Sequence, residues 1–261
     1  MLRIILHGYY GKMGRMVAEM IDKSYASDCE IVAGVDPAGA KYDHYIPVFT
    51  DIRDCNVGAD VVIDFSAAAA VDGLVDYCLE HELPVVICTT GLSVKQIARI
   101  EDAACEIPIM WSANMSLGVN LVKKVIRDSV KTLVDAGFDI EIVERHHNQK
   151  ADAPSGTAIM LADTMNNVMD GKYQYVYGRG MNGKRDRNEI GISSVRGGTI
   201  VGDHDIIFAG TDEVITFSHS AYSRAVFAKG AIEAAIYLVK EGRKGNAGTY
   251  TMDDLLAEYY R

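Results

Sequence analysis

The stretch that most constrains the fold is Gly8-Tyr9-Tyr10-Gly11-Lys12-Met13-Gly14, because it lies between two runs of different period. Leu2–His7 before it is short and apolar, and reads as a buried strand. Lys12–Lys23 after it spaces apolar residues by three and four, the mark of an amphipathic helix. Glycines at G-x-x-G-x-x-G spacing let the backbone turn tightly and come close to a ligand. The helix behind them offers N–H groups with no partner of their own, which suits a phosphate. Asp36 ends the next apolar run 22 positions after Gly14, where a carboxylate accepts hydrogen bonds from ribose hydroxyls. A glycine turn alone is common, but one framed by strand, helix and a correctly spaced acid reads as a dinucleotide site.

The alternation continues. Glu30–Val35, Val61–Phe65, Val85–Cys88 and Ile107–Met110 are short and rich in Val and Ile, with helical spacing over Val71–Glu80 and more weakly over Val94–Ala104. Near-continuous apolar strands separated by helices signal a parallel sheet covered on both faces, the Rossmann type of α/β fold. After Asn114 the pattern changes. Leu117–Leu133 reads as one helix, and Phe138–Arg145 alternates, with Phe138, Ile140 and Ile142 on one side and Asp139, Glu141 and Val143 on the other. Further strands are expected at Gly191–Arg196, Asp205–Ala209 and Glu213–His219, forming a mixed or antiparallel sheet with one helical face. Asp170–Glu189 has no clear period and reads as a long, mobile loop, while Arg224–Lys240 returns to helix.

Charge and cysteine usage narrow the class. A formal net charge of -10 repels nucleic-acid phosphates, and an anionic ligand then needs a local basic pocket. No run approaches the roughly 20 apolar residues of a membrane span, and the N-terminus lacks the features of a signal peptide. Five cysteines, an odd count with no C-x-x-C pair, argue against a disulfide framework or a zinc site and for a reducing, cytoplasmic setting.

The densest chemistry lies in Glu141-Ile-Val-Glu144-Arg-His146-His147-Asn-Gln-Lys150-Ala-Asp152-Ala-Pro-Ser155-Gly156-Thr157-Ala158. A strand runs into adjacent histidines and a lysine, then a Pro-Ser-Gly-Thr turn opens another helix. That helix start and Lys150 attract an anion, and the histidines can donate or accept a proton near neutral pH. The combination fits a carboxylate-bearing substrate that must also be protonated. The plainer alternatives are a metal bound by His146 and His147, a solvated Lys150, and a Ser155 that only caps its helix. Against the metal, adjacent strand residues point to opposite faces and no third ligand is suitably spaced.

The same segment resembles the signature E-[IV]-x-E-x-H-H-x-x-K-x-D-x-P-S-G-T-A of the dihydrodipicolinate reductase family, and Glu141 to Ala158 match it throughout. The resemblance extends to the glycine loop, Asp64-Phe65-Ser66, Thr89-Thr90-Gly91, Ser112 to Asn120, Ser194 to Gly198 and Arg224 to Ala231. It implies a discontinuous cofactor domain over residues 1–114 and 225–261. An α+β domain with a mixed sheet over 115–224 would bind substrate and assemble homotetramers. It implies reduction of 4-hydroxy-tetrahydrodipicolinate, a small dicarboxylate, by NADH or NADPH, without metal. By position, His146 matches the family's proton donor and Lys150 its second catalytic group. His147, Gly156 and Thr157 match substrate-carboxylate binders. Gly8, Tyr9, Tyr10, Gly11, Lys12, Met13, Asp36, Cys88, Thr89, Thr90, Ser112, Ala113, Asn114 and Met115 match cofactor contacts.

Three positions depart from the family's habit. Lys12 stands for a frequent arginine, Cys88 for a glycine, and Pro37 for an arginine that several members direct at the adenosine ribose. With Pro37 uncharged and Asp36 anionic, a 2′-phosphate has only Lys12 and Lys41 to meet it, so both cofactors are expected to work with NADH modestly preferred. Two competing readings are a Rossmann dehydrogenase of the aspartate or homoserine type, which should lack the His-His-Lys signature, and a non-catalytic nucleotide sensor, which should lose the proton donors.

Overall fold

The computed structural model describes residues 1–40, 45–180 and 183–259. The strands are β1 (Leu2–His7), β2 (Cys29–Val35), β3 (Val48–Phe49), β4 (Val61–Asp64), β5 (Val85–Ile87), β6 (Pro108–Trp111), β7 (Asp139–His146), β8 (Gln174–Tyr177), β9 (Glu189–Arg196), β10 (Gly202–Ala209), β11 (Val214–Ala221) and β12 (Gly248–Tyr250). The helices are α1 (Lys12–Met20), α2 (Val71–Glu80), α3 (Val94–Ala103), α4 (Leu117–Asp135), α5 (Gly156–Val168), α6 (Ala225–Gly242) and α7 (Met252–Glu258). The chain divides into two compact units, Met1–Leu117 with Arg224–Arg261, and Gly118–Ser223.

The first unit is built on a seven-stranded sheet in the order β12-β6-β5-β4-β1-β2-β3, with every pairing parallel. Both faces are covered, which is why its strands are apolar on consecutive residues. Ile4, Leu6, Val61, Ile63 and Met110 pack on one side with Val17 of α1 and the small residues Ala228, Ala231 and Ala235 of α6. Ile5, Val62, Val85, Ile87 and Ile109 pack on the other with Leu74 and Val75 of α2 and Ile100 of α3. The order reverses between β1 and β4, and open α/β sheets bind ligands beyond the carboxyl ends of their strands at such a reversal. The helix expected to run to Lys23 stops at Met20 and continues as a wider π turn over Ile21–Tyr25.

The second unit holds a five-stranded sheet, β11-β10-β7-β9-β8. It is mixed: β10 runs antiparallel to β7 and β11, whereas β7, β8 and β9 are mutually parallel. One face buries Ile140, Ile142, Ile190, Ile192, Ile206 and Phe208 beneath Ile126 and Val130 of α4 and Leu161 and Met165 of α5.

One expectation is corrected here. Asp170–Glu189 is not a loop throughout, because β8 forms within it and pairs with β9 from Gln174↔Glu189 to Tyr177↔Ile192. Its Tyr-Val-Tyr run has strong strand propensity without the alternation that marks a half-buried strand. Its entry is fixed by Asn166, whose side chain donates to Tyr173 O and accepts from Tyr173 N, each at 2.9 Å. Farther on, Arg185 donates to Asp139, to Glu141 and to the carbonyls of Ile140 and Glu189. Met181 and Asn182 of this stretch lie outside the described residues.

Candidate active site

In the first unit the glycine loop caps the carboxyl end of β1. Gly8 adopts φ +81°, a conformation costly for a residue with a side chain, and a Cβ there would overlap the carbonyl of Phe65. A Cβ at Gly14 would overlap the carbonyl of Gly8, so helix and loop are in backbone contact. The N–H groups of Gly8 and Tyr9 both donate to Val35 O, at 2.8 and 3.1 Å. The Tyr9 ring lies on Gly34, where a Cβ would come 2.7 Å from its Cγ. Asp36 braces this assembly: Oδ2 accepts from Tyr10 N and Oδ1 from Ala38 N, each at 3.0 Å. Lys12 is exposed, Met13 is half-buried against the core, and Lys41 lies outside the described residues.

The other expected cofactor contacts follow β5 and β6 at the same end of the sheet. Thr89 is buried, and its Oγ1 donates to Asp64 Oδ2 at 2.7 Å. Asp64, fully buried at the end of β4, also accepts from Ser66 N at 3.1 Å and lies 3.0 Å from His7 Nδ1. Burial, with the nearby Asp64 charge, pushes the Cys88 thiol well above its ordinary value, so Cys88 is a packing residue and no nucleophile. Thr90 and Ala113 are exposed. Ser112 Oγ donates to Asn114 O, and Asn114 Oδ1 accepts from Ser116 N, each at 2.9 Å, which shapes the turn that carries buried Met115.

In the second unit the chemistry gathers where β7 ends. The buried face of β7 reads Ile140, Ile142, Glu144, His146, so two apolar residues are followed by two ionisable ones. Glu144 is fully buried and accepts at both oxygens: Oε1 from Arg196 Nη2 at 2.7 Å and Ser155 N at 3.1 Å, Oε2 from Arg196 Nη1 at 2.7 Å and His146 Nδ1 at 2.6 Å. Burial pushes the Glu144 carboxyl up, but the bonds from Arg196, Ser194 and His146 outweigh it and hold the group at about 2. Glu144 is therefore ionised at neutral pH. His146 is 9% exposed, and a Cβ at Gly202 would lie 3.0 Å from its Nε2.

Three further groups complete the cluster. Lys150 Nζ pairs with Asp152 Oδ1 at 2.9 Å, and its backbone N–H donates to His147 O at 3.1 Å. Ser155 caps α5, its Oγ accepting from Ala158 N at 3.1 Å, while Gly156 and half-buried Thr157 open the helix. His204 on β10 lies 2.8 Å from that Oγ and packs edge-on against His146, with ring centroids 5.2 Å apart. Burial, then the neighbouring His146, pushes His204 down to about 4, so it is neutral at pH 7. His146, His147, Lys150, Gly156 and Thr157 thus share one loop and helix start. Glu144, Arg196 and His204 were not singled out from sequence. The continued two-residue period of β7 was the available signal for Glu144.

Sequence comparison places this arrangement among known proteins. The family described as "Dihydrodipicolinate reductase, N-terminus" matches residues 2–115, and "Dihydrodipicolinate reductase, C-terminus" matches residues 118–256. The chain is 51% identical to a 4-hydroxy-tetrahydrodipicolinate reductase of Caldanaerobacter subterraneus subsp. tengcongensis, covering 98% of each chain. It is 48% identical to the enzyme of that name from Clostridium tetani, over 98% of this chain and 97% of the relative. A dipicolinate-bound dihydrodipicolinate reductase from Paenisporosarcina sp. TG-14 shares the fold, with TM-score 0.75 and 24% identity over 96% of this chain and 97% of that one.

Proposed function

The chain belongs to the dihydrodipicolinate reductase family, and from that premise we propose which of its residues carry the reaction. The activity is NAD(P)H-dependent reduction of 4-hydroxy-tetrahydrodipicolinate to tetrahydrodipicolinate in lysine and diaminopimelate biosynthesis. The net change replaces a ring hydroxyl by hydrogen with loss of water, so one hydride and one proton are consumed. A bound dihydronicotinamide supplies the hydride.

His146 supplies the proton. The observation that carries this reading is a nearly buried imidazole at the end of β7, held at Nδ1 by an ionised carboxylate and followed by a loop that carries a cation into a helix start. An acid so held is pre-oriented for transfer. Lys150 and the first N–H groups of α5, with His147, Gly156 and Thr157, receive the substrate carboxylates. A substrate carboxylate then takes the place of Asp152 as the partner of Lys150. The dipicolinate bound in the Paenisporosarcina enzyme is a dicarboxylate of this kind.

The glycine loop fits a dinucleotide pyrophosphate, since a side chain at Gly8 would collide with the backbone of Phe65 after β4 and one at Gly14 with the loop carbonyls of Gly8 and Tyr9, so the loop backbone packs bare against the head of α1. Asp36, Thr89, Thr90, Ser112 and Asn114 line the same end of the sheet and are assigned to the rest of the cofactor. We assign NADH a modest advantage, because Asp36 carries the only charge beside Pro37 in its turn. The strand β11, which pairs with β10 at one edge of the second sheet and exposes Val214, offers an edge for self-association into a homotetramer, which light scattering would reject by returning a monomer mass. Among the described residues no helix is long and apolar enough to cross a membrane. We assign the protein to a reducing, cytoplasmic setting on its five unpaired cysteines, four of them buried packing residues.

The test couples the protein to dihydrodipicolinate synthase and follows loss of NADH absorbance. Turnover is expected from the wild type. His146→Gln should lower it by about 10²-fold with little change in cofactor binding. Near-wild-type turnover in that variant would remove His146 from the mechanism.

A further inference from the structure

A buried carboxylate is expensive unless its charge and lone pairs are satisfied, and an ion pair is no better for stability than well-packed apolar side chains of the same volume. Glu144 nevertheless stands where the apolar face of β7 would otherwise continue. Its placement does not depend on His146. Arg196 from β9 grips both oxygens, and the backbone N–H of Ser155 at the head of α5 holds Oε1. The carboxylate is fixed by these contacts, and the imidazole is fastened to it at 2.6 Å.

A carboxylate without a proton can only accept hydrogen bonds, so that contact requires the proton to sit on Nδ1 of His146. A neutral imidazole has one N–H, so the other nitrogen is then bare. We propose that Glu144 is a positioning residue that selects the Nδ1–H tautomer of His146, making Nε2 the atom that gives up and regains the catalytic proton. The inference rests on the reading of His146 as proton donor. Arg196 acts one step further back by keeping Glu144 in place.

Two independent features agree. The Nε2 side faces Gly202, which has no side chain; a Cβ there would stand 3.0 Å from that atom, so the glycine keeps a methyl off it. The neighbouring ring, His204, adds no like charge, since it is neutral at pH 7 and engages Ser155 instead. Lys150 is paired with Asp152 and is no competitor for the Glu144 oxygens. A Glu144 that served only to tie β7 to β9 through Arg196 would have no need to meet Nδ1 at hydrogen-bond distance.

The test is nitrogen NMR of histidine-labelled protein at alkaline pH, where imidazoles are neutral, with the His146 signals assigned by their loss in His146→Gln. The expected wild-type pattern is a protonated Nδ1 and a bare Nε2. Glu144→Gln should abolish the preference and lower kcat by about 10²-fold with KM for the dinucleotide unchanged, the signature of a lost orienting group. Glu144→Asp, which keeps the carboxylate, should recover part of the rate. A wild-type His146 protonated on Nε2 overturns the inference, as does a folded Glu144→Gln enzyme with normal kcat. If Glu144→Gln fails to fold, the wild-type tautomer decides. The two readings fail separately: an active His146→Gln enzyme sinks the proton-donor assignment, whereas an inactive one alongside an Nε2–H tautomer sinks only the role of Glu144.

Discussion

Because Glu144 is held ionised by its surroundings, the stability of the second unit must depend on pH in a direction that can be worked out. The folded carboxyl sits at about 2 against an ordinary 4.5. A depressed carboxyl adds stability that is fully present above the unfolded value and is lost as pH falls through the folded one. The window is therefore about pH 5 down to about pH 2. The displacement corresponds to about 3 kcal/mol, and screening at Arg196, whose side chain is 20% exposed, lowers the expectation to about 2 kcal/mol. Glu144→Gln imitates the permanently protonated state. The useful quantity is the difference between wild type and variant, because titrating groups that do not touch Glu144 cancel in it. Hydrogen exchange of peptides covering β7 and β9, corrected for intrinsic rates, reports this unit separately from the other. The difference should shrink by about 2 kcal/mol as pH falls from about 5 towards 2, the window of the Glu144 carboxyl. Parallel stability curves across that range would refute the placement of the charge, whatever the absolute stability of the variant.

Gly202→Ala places a methyl 3.0 Å from His146 Nε2 without touching Glu144, so kcat in the coupled assay should fall about 10-fold while Nδ1 of His146 keeps its proton. Unchanged turnover would mean that the Nε2 side is not the working side. If Lys150 receives a substrate carboxylate as proposed, Lys150→Ala weakens bound substrate and transition state alike, so steady-state kinetics should show KM rising and kcat falling together. A change in kcat alone would separate Lys150 from substrate binding. For the cofactor, the specificity constants of NADH and NADPH at matched ionic strength should differ by no more than about five-fold in favour of NADH, the size of one screened lysine contact. A tenfold or greater preference for NADPH would overturn the reading of Asp36 and Pro37, and Lys12→Ala and Lys41→Ala would show which lysine meets the phosphate.

What could be read from the sequence was what local geometry dictates. The glycine loop was legible because its constraints, a positive φ at Gly8 and backbone contact at Gly14, act within a few residues. The parallel sheet was legible because strands buried on both faces must be apolar on consecutive positions. The strand β8 was not, because its stability comes from Asn166 and from pairing with β9, neither of which leaves a periodic mark. Arg196 was beyond reach for a similar reason. It stands opposite His146 in the register of β7 and β9, and sequence gives the strands but not their pairing.

Asp36 and Glu144 mark the limit more sharply, because both are acids beside a proposed site and their neighbours in sequence say little about what each carboxylate does. Asp36 was expected to face a ribose, and its oxygens are found holding the N–H groups of Tyr10 and Ala38. Each oxygen accepts more than one hydrogen bond, so bracing the loop and binding a hydroxyl are compatible. Glu144 reads in sequence as one letter of a motif, and in the fold it is the carboxylate that meets His146 Nδ1 at 2.6 Å. In both cases the carboxylate fixes backbone or ring geometry around the proposed site, and at Asp36 its charge also bears on a 2′-phosphate. Substituting either one should therefore change rate or specificity through misplacement of its neighbours, an effect that a neutral isostere of the same shape would reproduce.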